Sequence, residues 1–262
     1  RFTDWERLNI DLYGQMKLWD QLTVKGNVYY DRFSDDLVIF DDSTYSTFND
    51  KSAFRNTSIG GNLQATWEVV ESLILKTGTF IKQDQHEDEK LIAPFSHEDF
   101  DTLTLDYFLE SDIALTKVVT LSGGINYDVI FTGGERSIES WNPRGALNVR
   151  FWPESLWHVS IGKKSRLPRL LNLFAGRGNL QLEAENNLVL EVGANQLFWN
   201  GRIEGDLVWF RNDVDNMIVF RPAASGGTQD QNAVSFVSHG IEAALTANLS
   251  KEFSVSIDYT YI

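Results

Sequence analysis

Residues 8–30 read LNIDLYGQMKLWDQLTVKGNVYY, and their alternation decides the fold. Leu8, Ile10, Leu12, Met16 and Leu18 fall on one side of an extended chain, while Asn9, Asp11, Gln15 and Lys17 fall on the other. After the polar pair Asp20-Gln21 the pattern resumes in Leu22, Val24, Val28 and Tyr30, with Thr23, Lys25 and Asn27 between them. Successive side chains of a strand point to opposite faces, so these residues predict two antiparallel strands sharing one apolar and one polar face.

The same reading extends along the chain. Ile59, Leu63, Ala65 and Trp67 form the next apolar row, followed by Leu103, Leu105, Tyr107, Leu109 and Ile113, then Val119, Leu121, Ile125 and Tyr127. Further rows are Leu147, Val149 and Phe151; Trp157, Val159 and Ile161; Leu188, Leu190, Val192 and Ala194; and Ile203, Leu207 and Trp209. Ile241, Ala243, Leu245 and Ala247, then Phe253, Val255, Ile257, Tyr259 and Tyr261, bring the expectation to about twelve strands, with residues 73–82 the ambiguous member. Helical spacing occurs only in residues 167–174.

Alternation shows that one face is apolar, and leaves open whether protein or lipid covers it. The connections separate the two. Tight turns at Asp20-Gln21, Val70-Glu71, Thr116-Lys117, Pro153-Glu154-Ser155, Asn200-Gly201 and Ser250-Lys251 alternate with long polar segments, at residues 34–55, 83–100, 131–141, 166–186 and 213–233. An up-and-down barrel in an outer membrane has this arrangement, with short turns on the periplasmic side and longer loops outside. Aromatic residues agree: Trp19, Trp67, Trp152, Trp157 and Trp199 sit beside the tight turns, and Tyr30, Tyr127 and Trp209 lie toward the loops, as two interfacial girdles require. Charges on the apolar rows are confined to the loop ends, at Arg32, Lys163 and Arg211. The competing expectation is a soluble β-domain that binds glycans, whose apolar face packs on a second sheet.

Composition narrows the partners. A net charge of −14 in 262 residues argues against a nucleic-acid surface. Absence of cysteine excludes a disulfide framework, a thiolate metal site and a Cys nucleophile. No apolar run reaches the ~18–20 residues of a spanning helix, which a strand-built barrel does not need. The first residues carry no signal-peptide pattern, so a mature chain or an internal stretch is expected.

From Trp141 onward, short signatures appear in a recognisable order. They are Asn142-Pro143-Arg144; Gly162-Lys163-Lys164-Ser165-Arg166-Leu167-Pro168; Gly178-Asn179-Leu180-Gln181-Leu182-Glu183-Ala184-Glu185 followed by Leu190-Glu191-Val192-Gly193; Phe210-Arg211-Asn212-Asp213-Val214-Asp215-Asn216-Met217-Ile218; and Gly240-Ile241-Glu242. Together they resemble the β-barrel of TonB-dependent receptors, the ligand-gated importers of the bacterial outer membrane. The second and third depart from the family's phrasing, with Ser165 and Leu167 replacing Phe and Ala and with Ala184 in place of Pro. The resemblance implies an antiparallel transmembrane barrel of twenty-two strands, of which residues 1–262 would be about twelve from the middle. It also implies a plug domain lying outside this sequence, the TonB complex acting through that plug, outer-membrane lipid around the barrel, a scarce nutrient as ligand, no catalysis and no cofactor. A ferric siderophore, cobalamin or another metal chelate fits. Haem does not, because residues 159–238 lack the histidine that haem importers carry there. A passive porin or structural barrel is the alternative membrane reading.

Candidate ligand contacts lie in the loops. Arg166, Arg169 and Arg177 flank the helical segment and offer forked donors to an anionic ligand. Tyr45, Phe48 and Phe95 supply aromatic surface. His86 and His97, among Glu87, Asp88, Glu89, Glu98 and Asp99 in the expected loop of residues 83–100, form a candidate divalent-metal site. His158 and Ser160 share a strand face without an orienting third group, and mixed charges on the polar rows are expected to pair with one another, with water and with the plug.

Overall fold

The computed structural model describes residues 2–41, 43–45, 48–134, 136–174, 176, 178–223 and 226–262, without the Phe48 side chain. Twelve strands run in order: β1 (Phe2–Trp19), β2 (Leu22–Phe40), β3 (Phe48–Val70), β4 (Leu73–Lys90), β5 (Ser96–Ala114), β6 (Val119–Phe131), β7 (Ser137–Trp152), β8 (Ser155–Arg166), β9 (Glu185–Phe198), β10 (Ile203–Pro222), β11 (Thr228–Asn248) and β12 (Ser254–Tyr261). One short helix, α1 (Leu170–Phe174), lies between β8 and β9. Each strand is hydrogen-bonded to its sequence neighbours in a single twelve-stranded antiparallel sheet. No helix among the described residues is long and apolar enough to cross a membrane.

Register carries the apolar face intact from strand to strand. Leu12 pairs with Val28 and Val28 with Gly61. Leu109 pairs with Thr77, Ile125 with Leu109, and Pro143 with Ile125. Leu147 faces Val159, Val159 faces Val192, Val192 faces Trp209 and Trp209 faces Ile241. A slip of one residue would flip a whole row, so this continuity ties eleven hairpin and strand pairings to one pattern. Most of the apolar face is open: Leu12, Ile59, Leu63, Leu109, Trp157, Leu207 and Ile257 are exposed, and among the described residues no second sheet covers them. That excludes a sandwich core and leaves lipid as their cover. Residues 73–82, ambiguous in sequence, are strand β4 with Leu75, Thr77, Thr79 and Ile81 in the outward row. A concavity of about 600 Å³ around Ile59, Gly61, Leu63 and Ile81 lies on this face and belongs to the lipid-facing surface.

The opposite face is concave and polar. Charges pair along it: Arg7 with Asp31 at 2.6 Å, Lys76 with Asp112 at 2.8 Å, and Arg144 with Glu110. Asn142 donates to Asp128, and Asn195 donates to both Glu204 and Asp206. Ser160 donates to Glu191 rather than to His158, so no Ser–His pair forms. Glycines in this wall lie directly opposite rings. Gly60 is paired with Tyr29, Gly78 with Phe108 and Gly240 with Phe210. A Cβ on Gly78 would stand 2.5 Å from the Phe108 ring, so the missing side chain is what lets the ring lie flat against the sheet.

The expected long loops are mostly strand. About 9–11 tilted residues span a bilayer, yet β2, β3, β4 and β5 have 19, 23, 18 and 19 residues. The upper parts of the strands continue as ribbons above the membrane, and only residues 41–47, 91–95, 132–136 and 223–227 join β2 to β3, β4 to β5, β6 to β7 and β10 to β11. Above the bilayer both faces are wet, so the ladder persists while the apolar alternation that betrays it vanishes. Residues 167–184 are the one long connection that remains. Below it, β7 and β8 pair only as far as Arg144 and Gly162. Pro143, which has no N–H, sits at that limit. Above it Lys163 donates to Ser140, Ser140 to Ser165 and Ser165 to Asn186, a side-chain chain replacing the ladder.

Candidate functional site

The connection between β8 and β9 folds inward across the concave face. Leu170, Leu171, Leu173 and Phe174 provide one helical turn, opened by Pro168 and stabilised by the Asn172 side chain, which accepts from the Arg169 amide at 3.1 Å. A five-residue helix does not hold by itself, so tertiary contacts fix it. Leu173 and Leu182 are buried against Ile130, Ile138, Ala184 and Ile218. The Phe174 ring stacks on Phe100 with centroids 5.0 Å apart. Asn172 donates to the Asp230 carboxylate at 2.9 Å and Asn179 to the Asp230 carbonyl at 3.0 Å. Asn232 accepts from the Glu183 amide and donates to the Glu183 carbonyl, at 2.8 and 3.1 Å. Gly178 approaches so closely that a Cβ there would meet the Leu173 carbonyl oxygen at 2.5 Å.

The neck of this loop is clasped. Arg166 Nε donates to Glu185 at 2.5 Å and its Nη2 to the other carboxylate oxygen, while the Ile218 amide donates to Glu185 at 2.7 Å. The pair lies above the apolar band, at the loop ends of β8 and β9. Burial acts to raise the Glu185 carboxyl, but Arg166 and the Ile218 amide outweigh it and hold it below the ordinary range. A depressed folded value means the clasp contributes fully above the unfolded carboxylate pKa, and its contribution is lost as pH falls through the folded one. Glu185→Gln is therefore expected to open the neck at neutral pH. For a half-exposed pair worth about 1 kcal/mol, tryptic cleavage at Arg169 should accelerate roughly fivefold. Unchanged cleavage would show that the clasp does not hold the loop.

Under the loop is a cavity of about 390 Å³ against β3, β4 and β5. Ser58, Lys82, Asp84, His86, Thr102 and Thr104 line its strand side, and Leu167, Pro168, Arg169, Leu170 and Leu171 its loop side. Lys82 pairs with Asp84 at 2.7 Å, and Ser58 donates to the same carboxylate. His86 is 8% exposed and its Nδ1 lies 2.7 Å from the Asn56 side-chain oxygen.

The sequence-named residues divide accordingly. Arg169 and His86, far apart in sequence, meet in this cavity. Arg166 is committed to Glu185, a structural clasp in place of the ligand contact expected of it. His86 and His97 do not combine. His86 pairs with Phe100 and His97 with Glu89, which sets the two histidines three ladder positions apart on opposite faces of the β4–β5 ribbon. Among the described residues no group of three or more His, Asp or Glu is arranged to hold a metal ion. Tyr45 and Phe95 stand at hairpin tips, Tyr45 edge-on to Phe40 at 5.2 Å and Phe95 76% exposed, and neither lines the cavity. Arg177 and the side chain of Phe48 lie outside the described residues. Sequence reasoning did not find Lys82, Asp84 and Thr102; only register places them beneath the loop.

A profile of the family described as TonB dependent receptor-like, beta-barrel matches residues 2–262. The chain belongs to the TonB-dependent receptor family. It is thus part of a bacterial outer-membrane β-barrel, which confirms the fold and removes the soluble reading. Similar solved structures include the copper transporter OprC, at 16% identity and TM-score 0.80, covering 99% of this chain and 46% of that one. The siderophore receptor PirA from Acinetobacter baumannii gives 16% and 0.78, covering 98% and 44%. The ferric enterobactin receptor PfeA from Pseudomonas aeruginosa gives 18% and 0.76, covering 98% and 43%. The chain therefore spans less than half the length of each. Among curated protein sequences nothing matches it.

Proposed function

We propose that this barrel wall belongs to an importer that captures a scarce nutrient, such as a ferric siderophore, cobalamin or another metal chelate, on its outer side. The nutrient passes inward when the TonB complex acts on a plug domain seated against the polar concave face. One observation carries this reading: the loop of residues 167–184 is anchored across the concave face and encloses a mixed polar and apolar cavity at the loop end. A receptor needs a preformed recess of this kind.

The nutrient stays at the level of a class, since the similar solved structures are named for copper, siderophore and peptide transport. Growth of a strain deleted for the gene tests the reading, on limiting iron and separately on limiting cobalamin, restored by the wild-type gene only in cells with an energised TonB complex. A TonB-dependent defect in one medium is expected. Normal growth in both, together with ligand-independent conductance in planar bilayers, would favour the passive barrel.

A further inference from the structure

We infer that the cavity beneath the 167–184 loop takes the anionic group of a small organic acid, gripped by Arg169 from the loop and by Thr102 from β5. This rests on the reading of the cavity as the ligand chamber and adds the chemistry of what enters it. The charges decide the sign. Asp84, the acidic residue in the lining, is already neutralised by Lys82 and bonded by Ser58. Glu185, the carboxylate whose field reaches Arg169, has both oxygens held by Arg166 and one also by the Ile218 amide. Among the described residues the Arg169 guanidinium has no hydrogen-bonded or ion-paired partner, although its backbone amide is anchored by Asn172. A positive, forked donor is thus left over at the cavity wall.

Thr102 is a second and independent sign. It is 1% exposed, lines the cavity, and its hydroxyl has no partner. A buried hydroxyl left unsatisfied costs about 1–3 kcal/mol, which an acceptor oxygen brought by a ligand would recover. The remaining wall sorts the rest of the molecule. Ile130, Leu167, Leu170 and Leu171 also line the cavity and offer apolar surface to the body of the acid. The ligand chemistry is therefore an organic acid with an apolar or aromatic body rather than a bare inorganic anion.

The test uses the full-length protein in detergent and 4-fluorobenzoate as probe, read by fluorine NMR, with 4-fluorobenzamide as the neutral analogue and phosphate as the inorganic one. Benzoate is expected to bind at least about tenfold tighter than benzamide, the scale of one charge-assisted hydrogen bond, and to resist displacement by phosphate. Arg169→Gln should weaken benzoate about tenfold and Thr102→Val by a smaller factor, with Arg221→Gln as an unaffected control. Heat-modifiable gel migration verifies that each variant is folded. Equal binding of benzoate and benzamide, no binding of either, or full affinity in folded Arg169→Gln each overturns the inference. Any of these outcomes in a protein that still supports TonB-dependent growth would remove the acid and leave the importer reading standing.

Discussion

Replacing Leu109 by arginine is expected to destabilise the folded barrel by about 2–4 kcal/mol, the cost of a guanidinium at the mid-plane of the outward face. Leu109 sits midway along the lower half of β5, is 55% exposed, and is flanked in register by Thr77 and Ile125 in the same outward row. Its exposure is the point. In a water-soluble sheet an exposed leucine exchanged for arginine changes stability by a few tenths of a kcal/mol, since surface substitutions seldom exceed ±0.5. In lipid the same exchange forces the charge to snorkel or to draw water inward. Asn126→Arg, next to Ile125 but on the concave face, is the internal control and should be tolerated, because that wall already carries Arg144 and Lys76. Denaturant titration of the full-length protein folded into phospholipid vesicles measures both variants. Equal tolerance of the two would mean that lipid does not cover the outward rows, and the membrane assignment would fail with it.

The outward rows were legible because lipid imposes one rule on every strand at once. Leu8 to Met16, Leu103 to Ile113 and Leu188 to Ala194 keep a period of two, and the register joins these rows without a slip. Residues 73–82 were harder, because Thr77 and Thr79 interrupt the apolar row while Phe80 and Ile74 face the polar side. Above the membrane the rule lapses. Residues 83–100 carry His86 to Glu89 and His97 to Asp99 and look like an acidic loop, yet they form a paired ribbon whose two faces hold the histidines apart. Metal ligation by both histidines would need a segment free to curl, which this ribbon is not.

The arginines teach a related lesson. Arg166 and Arg169 are three residues apart, and both offer a fork suited to a carboxylate. Arg166 finds its carboxylate in Glu185, nineteen residues on, because β8 and β9 pair across the neck of the loop. Arg169 is left facing the cavity. Chemistry alone makes the two equivalent; strand pairing separates a clasp from a candidate ligand contact. The signal that was available is the spacing itself, since a basic residue ending one strand and an acidic residue starting the next are natural cross-strand partners.

Leu182→Ala should release the loop without unfolding the barrel. Leu182 is fully buried, in one cluster with Leu173, Ile130, Ile138 and Ile218, at the place where the loop turns back toward β9. Truncating a buried leucine costs about 2–5 kcal/mol through lost transfer energy and the void left behind. Here that cost falls on the docking of a surface segment. The strands below keep their own ladders, and the Asn172 and Asn179 bonds to Asp230 are polar contacts too weak to compensate. Hydrogen exchange read by mass spectrometry on the full-length protein should show protection in residues 167–184 falling by more than about tenfold, with peptides from β6 and β9 unchanged. Leu171→Ala, which removes a half-exposed side chain from the same turn, should alter protection little. Organic-acid binding is expected to weaken with Leu182→Ala as well, because Arg169 rides on the loop that Leu182 holds down. Wild-type protection in folded Leu182→Ala would show that the cluster does not anchor the loop, and the enclosed chamber would lose its physical basis.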